Sequence, residues 1–316
     1  LSLHDALPIL KHMEMIIRTQ RLSKEYNKIF RVKDIDLRVP QGAVYGFLGP
    51  NGAGKSTTLK MLLGLAKPTQ GNINILGKEL NEKNRISILK DIGSLIESPS
   101  YYGHLTGLEN MTIMQKLLDL PKKNVNEALK IVRLENQKNK KVSQYSLGMK
   151  QRLGIAMAIM KFPKLLILDE PTNGLDPAGI EEIRELIKSL PEKYGMTVLI
   201  SSHLLSEIDQ IATSIGIINH GELVFQDSIK ELHNRGQSQI AIKTKNVVSA
   251  QKLLNTKGYM SLIQDGYLTI ENLKDSDVAK INGMLVHSNI DVFRIEEHKK
   301  SLEDIFLELT GKAVTL

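Results

Sequence analysis

The chain has 316 residues, 41% of them hydrophobic, which is enough to bury one large or two medium cores and excludes a disordered or fibrous protein. Cysteine is absent, so disulfides, thiolate zinc sites and cysteine nucleophiles are excluded, and no run of about 18 apolar residues offers a membrane-crossing helix. The net charge of +7 suits a polyanion or an acidic membrane surface. However, the basic residues crowded between Lys122 and Lys141 follow a helical period without interleaved aromatics, so they read as a solvated helix face, and no direct nucleic-acid binding is expected.

In chain order, residues 1–12 show no capping logic and precede two plausible starts at Met13 and Met15. We expect them to be an artefactual or disordered extension outside the fold. MIIRTQRLSKEY and IFRVKDIDLRV alternate like two paired strands, ended by Pro40, Gln41 and Gly42. VYGFLG is a short apolar strand, followed by a glycine loop and the helix KSTTLKMLLGL. Residues 98–145 are mostly helical and less apolar, an inserted lobe that extends to about 160 with the helix from Ser146 to Lys161. After Pro163, KLLILDE is a strand of parallel-sheet character. A helix around IEEIRELIKSL, the strand MTVLISSH, a helix around LLSEIDQIA and the hairpin SIGIINHGELVFQD follow. This alternation predicts an α/β domain over 13–234 with a largely parallel central sheet. From about residue 235 the order is β-α-β-β-α-β with an added helix, which predicts a small α+β ferredoxin-like domain to residue 316.

GPNGAGKST is a phosphate-binding loop of the G-x-x-x-x-G-K-[ST] type with a strand before it and a helix after it. Gly49, Pro50, Asn51, Gly52, Ala53 and Gly54 form the loop, where glycines let backbone N–H groups approach phosphate oxygens and the helix start adds partial positive charge. Lys55 is expected to reach the β- and γ-phosphates, Ser56 to ligate Mg²⁺ and Thr57 to contact the α-phosphate. LLILDEP delivers an acid pair to the C-terminal end of a strand, where open α/β sheets place ligands. Asp169 suits Mg²⁺, largely through water, and Glu170 suits a general base facing the attacking water. YSLGMKQRLGIA opens another helix, with Lys150, Gln151 and Arg152 on its first turn. Helix starts bind anions, and the residues alone leave open whose anion this one meets.

Together, the phosphate loop, the SxG helix start some ninety residues on and LLILDEP resemble the ATPase subunit of an ATP-binding cassette (ABC) transporter over about residues 15–230. The resemblance implies a P-loop nucleotide-binding domain: a RecA-like core, an antiparallel β subdomain and a helical subdomain at about 98–160. It implies ATP and Mg²⁺ as ligands, and it places Asp176 of NGLD in the D-loop, His203 at the switch position near the γ-phosphate, and Tyr26 at the adenine-stacking position. Two such subunits pair head to tail in the family. Ser146 and the N–H groups near Gly148 are then expected to close over ATP held by the partner subunit.

Two departures from the family pattern stand out. Leu147 and Met149 replace a glycine and a glutamine of LSGGQ, and the Cβ at 147 disfavours positive φ, so donor geometry there is expected to differ or be strained. Glu97 stands where most relatives carry a glutamine near Mg²⁺ and the attacking water, so it is a candidate catalytic and metal-facing residue. IESPSYYGHLTGLEN together with YSLGMKQRLGIA is similar to the bacitracin and lantibiotic export or immunity branch of the family. The expected partners are a second ATPase subunit and a separate membrane permease at the inner face of the cell membrane, with Tyr101, Tyr102 and Leu105 available to receive a permease helix or to fill the lobe core. The rival readings are a soluble ABC ATPase acting on nucleic acid or the ribosome, against which stand a single cassette and the lack of sustained heptads, and a nucleotide-gated regulatory module.

Overall fold

A computed structural model describes residues 14–236, 238–271, 273–299 and 301–311, and residues 1–12 lie outside them. The chain forms two compact units that meet in sequence between Ile229 and Lys230.

In the first unit the elements run β1 (Met15–Tyr26), β2 (Ile29–Ile35), β3 (Arg38–Pro40), β4 (Val44–Leu48), α1 (Lys55–Leu62), β5 (Gln70–Ile75), β6 (Lys78–Glu79), α2 (Arg85–Lys90) and β7 (Ile92–Leu95). The lobe follows as α3 (Gly107–Leu117), α4 (Lys122–Ile131) and α5 (Leu147–Ile159). Then come β8 (Leu165–Asp169), α6 (Pro177–Tyr194), β9 (Thr197–Ser202), α7 (Leu205–Asp209), β10 (Ser214–Asn219) and β11 (Glu222–Ser228).

The central sheet has the order β11-β10-β4-β9-β8-β7, parallel except for the β10–β11 hairpin. Leu165 to Leu168 of β8 are fully buried, as a strand covered on both faces requires. This strand and β4 aim their C-terminal ends at one edge of the sheet, and that is where the phosphate loop and the acid pair emerge. A second, antiparallel sheet joins β2-β1-β5-β6, with β3 also on β1.

Instead of one strand from Ile29 to Val39, the structure has two. β1 bulges at Arg21, whose φ is +47°, so β2 pairs with its C-terminal half and β3 with its N-terminal half, and Asp34, the penultimate residue of β2, takes φ +49° just before the break. Asp36 secures the break by accepting the Arg21 N–H at 2.6 Å. The basic run keeps an apolar stripe inward on α4, with Val125, Ala128 and Leu129 buried and its lysines outward.

The second unit comprises the end of α8 (Ile229–Asn234), β12 (Ser238–Thr244), α9 (Val247–Thr256), β13 (Leu262–Gln264), β14 (Tyr267–Glu271), α10 (Asp275–His287), β15 (Val292–Lys299) and α11 (Leu302–Thr310). Its antiparallel sheet has the order β13-β14-β12-β15, the ferredoxin-like arrangement. Ile240, Ile242, Leu268 and Ile270 of the sheet pack on Ala250 and Leu254 of α9 and on Ile281 and Leu285 of α10. YMSLIQ contributes only three exposed residues as β13, fewer than its pattern predicts.

Candidate active site

The phosphate loop turns directly from β4 into α1. Gly54 precedes the helix with φ +111°, and a Cβ there would lie 2.6 Å from the Arg31 carbonyl oxygen, so only glycine satisfies both the torsion and the space. No side chain caps α1. Its first N–H groups and its dipole are therefore directed at whatever anion enters the loop. The loop is braced from within and behind: the Ala53 N–H donates to the Pro50 carbonyl at 3.1 Å, and the Ala53 carbonyl accepts from Gly221 of the β10–β11 turn at 2.9 Å. Buried Lys55 donates to the carbonyls of Gly49 at 2.7 Å and Pro50 at 3.3 Å.

The acid pair is organised by the neighbouring strand. Parallel register sets Asp169 beside Ser201. The Ser201 hydroxyl donates to Asp169 Oδ1 and accepts the Glu170 N–H at 3.0 Å, which locks the residue where the strand ends. Glu170 adopts φ +46° there, and its carboxylate spans two cations or donors: Oε1 lies 3.3 Å from the Lys55 ammonium and Oε2 lies 3.0 Å from His203 Nδ1. One residue before the histidine, the Ser202 hydroxyl donates to buried Glu207 at 3.1 Å, and Thr172 donates to the same oxygen at 2.7 Å. The strand ends that carry Glu170 and His203 are thus tied together below the carboxylate.

Ser56, Glu97, Asp169 and Glu170 line one cleft of about 390 Å³, together with Tyr101 and Lys150. A hydroxyl and carboxylates are the hard oxygen donors that Mg²⁺ takes. Ser56 and Asp169 are the residues here that could hold such a cation. The Glu97 carboxylate turns aside: Oε1 is 2.8 Å from the Lys60 ammonium, and that hydrogen bond with its charge holds the Glu97 carboxyl below the ordinary range.

Several other expected residues do not line this cleft, although Leu147 at the start of α5 does. Tyr26, half exposed at the end of β1, carries the Lys24 ammonium 4.8 Å from its ring centre. Thr57 follows Ser56 on the first turn of α1 and is half-buried. The residues lining the cleft do not include Ser146, Gly148 or Asp176. Ser146 caps α5, its hydroxyl accepting the Met149 N–H at 3.2 Å, and Asp176 caps α6, accepting the Gly179 N–H at 3.0 Å. Strain at Leu147 does not materialise: the residue is the first of α5 and is absent from the positive-φ residues, so its Cβ meets no backbone penalty. Tyr101 and Tyr102 are 36% and 56% exposed, so they present a surface, and Leu105 is half-buried. Sequence reasoning missed two contributors, Ser201 and Lys60. A serine following the apolar run VLI at the buried end of β9 was a usable signal for the first, whereas nothing local marked the second.

The family model for the ABC transporter matches residues 32–173. The bacitracin transport ATP-binding protein BcrA of Enterococcus faecalis is 44% identical over 302 residues, covering 95% of this chain and 97% of that protein. The chain belongs to the ATP-binding subunits of ABC transporters. A BcrA from Bacillus licheniformis is likewise 44% identical over 95% of the chain and 98% of its own length. The lantibiotic transport ATP-binding protein SrtF of Streptococcus pyogenes is 43% identical, over 69% of this chain and 96% of that protein. Among solved structures, cbiO1 of Clostridium perfringens, part of the cbiONQ ABC transporter complex, aligns with a TM-score of 0.66 at 27% identity over 78% of this chain and 98% of its own. The ATP-binding cassette MJ0796, a dimer bound to ADP and Pi, aligns at 0.60 and 28% identity over 67% and 98%. This ABC subunit is an ATP hydrolase of the P-loop fold, in a family whose ATPases dimerise and work with membrane permeases. No helix among its described residues is long and apolar enough to cross a membrane.

Proposed function

We propose that this ABC ATPase pairs with a second ATPase subunit at the inner face of the cell membrane and drives a separate permease that exports a peptide antibiotic of the bacitracin or lantibiotic kind. The near full-length identity to two BcrA proteins supports the cargo class. The observation that carries the chemistry is Glu170, held between Lys55 and His203 beside Ser56 and Asp169.

In this reading Lys55 and the N–H groups of α1 take the β- and γ-phosphates, and Ser56 and Asp169 hold Mg²⁺, which when bound offsets the charge that develops on the transferring phosphoryl group. Tyr26 stacks on the adenine. Glu170 accepts a proton from water as its oxygen attacks the γ-phosphorus, while the bond to the β-bridging oxygen breaks and ADP and phosphate leave. His203 orients the Glu170 carboxylate and reaches toward the γ-phosphate. Ser146 and Gly148 of the second subunit complete the cage, with that subunit's Asp176 region alongside. Binding of ATP joins the subunits and hydrolysis separates them.

Glu170→Gln keeps the shape but cannot take the proton. ATP binding is expected to persist while turnover in permease-containing membranes falls by about 10² to 10⁴. Phosphate release at the wild-type rate would remove Glu170 from the role.

A further inference from the structure

Each carboxylate that borders the cleft has its own partner. Asp169 has the Ser201 hydroxyl, Glu170 has Lys55, and Glu97 has Lys60. Both ammonium groups come from α1, and Lys60 stands four residues after Ser56, so these two residues lie on one face of that helix. Lys60 also feels the charge of Asp169, which places its ammonium within electrostatic reach of the cation side of the cleft. The pair it makes with Glu97 is short at 2.8 Å but wet, with the side chains 41% and 69% exposed, and solvent screens such pairs strongly. Glu97 itself stands in left-handed backbone at φ +63°, on the loop that follows β7. A screened, weak tether on a carboxylate that already lines a cation cleft is one that a divalent ion can displace.

We propose that Lys60 is a positioning residue that competes with a divalent cation for the Glu97 carboxylate, so that Glu97 moves from the ammonium group toward the metal shell as the cleft is loaded. This rests on reading the cleft as an ATP and Mg²⁺ site. It explains how the site accommodates three carboxylates where two would serve: the third is neutralised by a lysine until a stronger cation arrives. Lys60 thereby sets how tightly the cation is held.

The test measures cation binding without turnover. Mn²⁺ is titrated by electron paramagnetic resonance into the full chain with a non-hydrolysable ATP analogue, for the wild type, Lys60→Met, Glu97→Gln and the double variant. Removing an ammonium group also removes a general repulsion toward Mn²⁺, and that part acts whether position 97 carries a carboxylate or an amide, so the difference between the two backgrounds isolates the competition. With Glu97 present, Lys60→Met is expected to tighten Mn²⁺ binding about threefold to fivefold, the scale of a screened ion pair. In the Glu97→Gln background the gain is expected to shrink to less than about twofold. Equal gains in both backgrounds, no gain, or weaker binding would each overturn the proposal. Lys60→Gln provides a second variant, and circular dichroism checks its fold. If the wild type fails to bind the analogue with Mn²⁺ at all, the reading of the cleft fails, an outcome distinct from binding that ignores Lys60.

Discussion

The helix that opens at Lys55 and the helix that opens at Leu147 both present N–H groups at a positive end, yet they are capped in opposite ways. α1 has a glycine before it in left-handed backbone and no side-chain cap, its loop is braced by Gly221, and its lysine is held on two carbonyls. α5 is partly satisfied by its own serine and begins with a leucine that is 54% exposed; Leu147, Lys150 and Gln151 reach the wall of the cleft in its own chain, whereas Ser146 and Gly148 do not. An uncapped start beside a buried lysine is an anion-binding half-site built within one chain. The self-capped start keeps its shape without a ligand and leaves Ser146 and Gly148 for another molecule, which agrees with the proposal that two subunits share each nucleotide.

If the first start depends on glycine backbone, Gly54→Ala breaks it outright. A left-handed φ imposed on an L-residue costs about 1–3 kcal/mol, and contact with the Arg31 carbonyl opposes any simple accommodation. Urea denaturation is expected to show that loss, and a fluorescent ATP analogue to bind far more weakly; wild-type values for both would contradict the account. Ser146→Ala removes only the cap on the second start, about 1 kcal/mol. Here the expected result is intact analogue binding with loss of ATP-driven pairing, read by light scattering, and pairing that survives would remove Ser146 from the shared cage. Gly148→Ala sharpens the contrast. Position 148 is helical without positive φ, and a Cβ would meet only Leu175 at 4.0 Å, so alanine is expected to raise stability by up to about 1 kcal/mol. Pairing should fall nonetheless, because the new methyl group stands beside donors meant for the partner subunit. A destabilised but fully pairing variant would reverse both halves of the argument.

The same contrast sorts what the residues announced from what they concealed. β8 was legible because four consecutive aliphatic residues ending in two acids need a covered strand with an open end, and GPNGAGKST was legible because its glycines serve a backbone shape that has few alternatives. The β-α-β-β-α-β order of the second unit followed from apolar periodicity and turn residues alone. By contrast, the division of residues 29–39 depends on a bulge at Arg21 in a different strand, and β5 to β7 went unread although NINI alternates, because the pattern is too short to stand without its partner β1. At the site, the roles of Lys55, Asp169 and Glu170 were inferred from motif and strand position. The Lys60–Glu97 pair spans 37 residues and depends on side-chain torsions that no local pattern encodes. Ser201 was hidden for a related reason: its value lies in lateral register with Asp169, a property of two strands together.

A third helix start shows what full satisfaction looks like and carries the smallest expected effect. At α3, Thr106 accepts the Glu109 N–H at 3.1 Å while the Glu109 carboxylate accepts the Thr106 N–H at 2.7 Å and its hydroxyl at 2.9 Å, a closed box with no donor directed outward. The backbone hydrogen bond from Thr106 is the main cause holding the Glu109 carboxyl below its ordinary value, followed by the hydroxyl. A depressed acid stabilises the fold above its unfolded pKa, near 4.3, and that contribution is lost as pH falls through the lower folded value. Glu109→Gln should therefore lower Tm slightly at pH 7, the gap from wild type should close on acidification below about pH 4, and nucleotide binding should stay unchanged at every pH. A gap that widened in acid would mean that the carboxylate is not what closes this helix start.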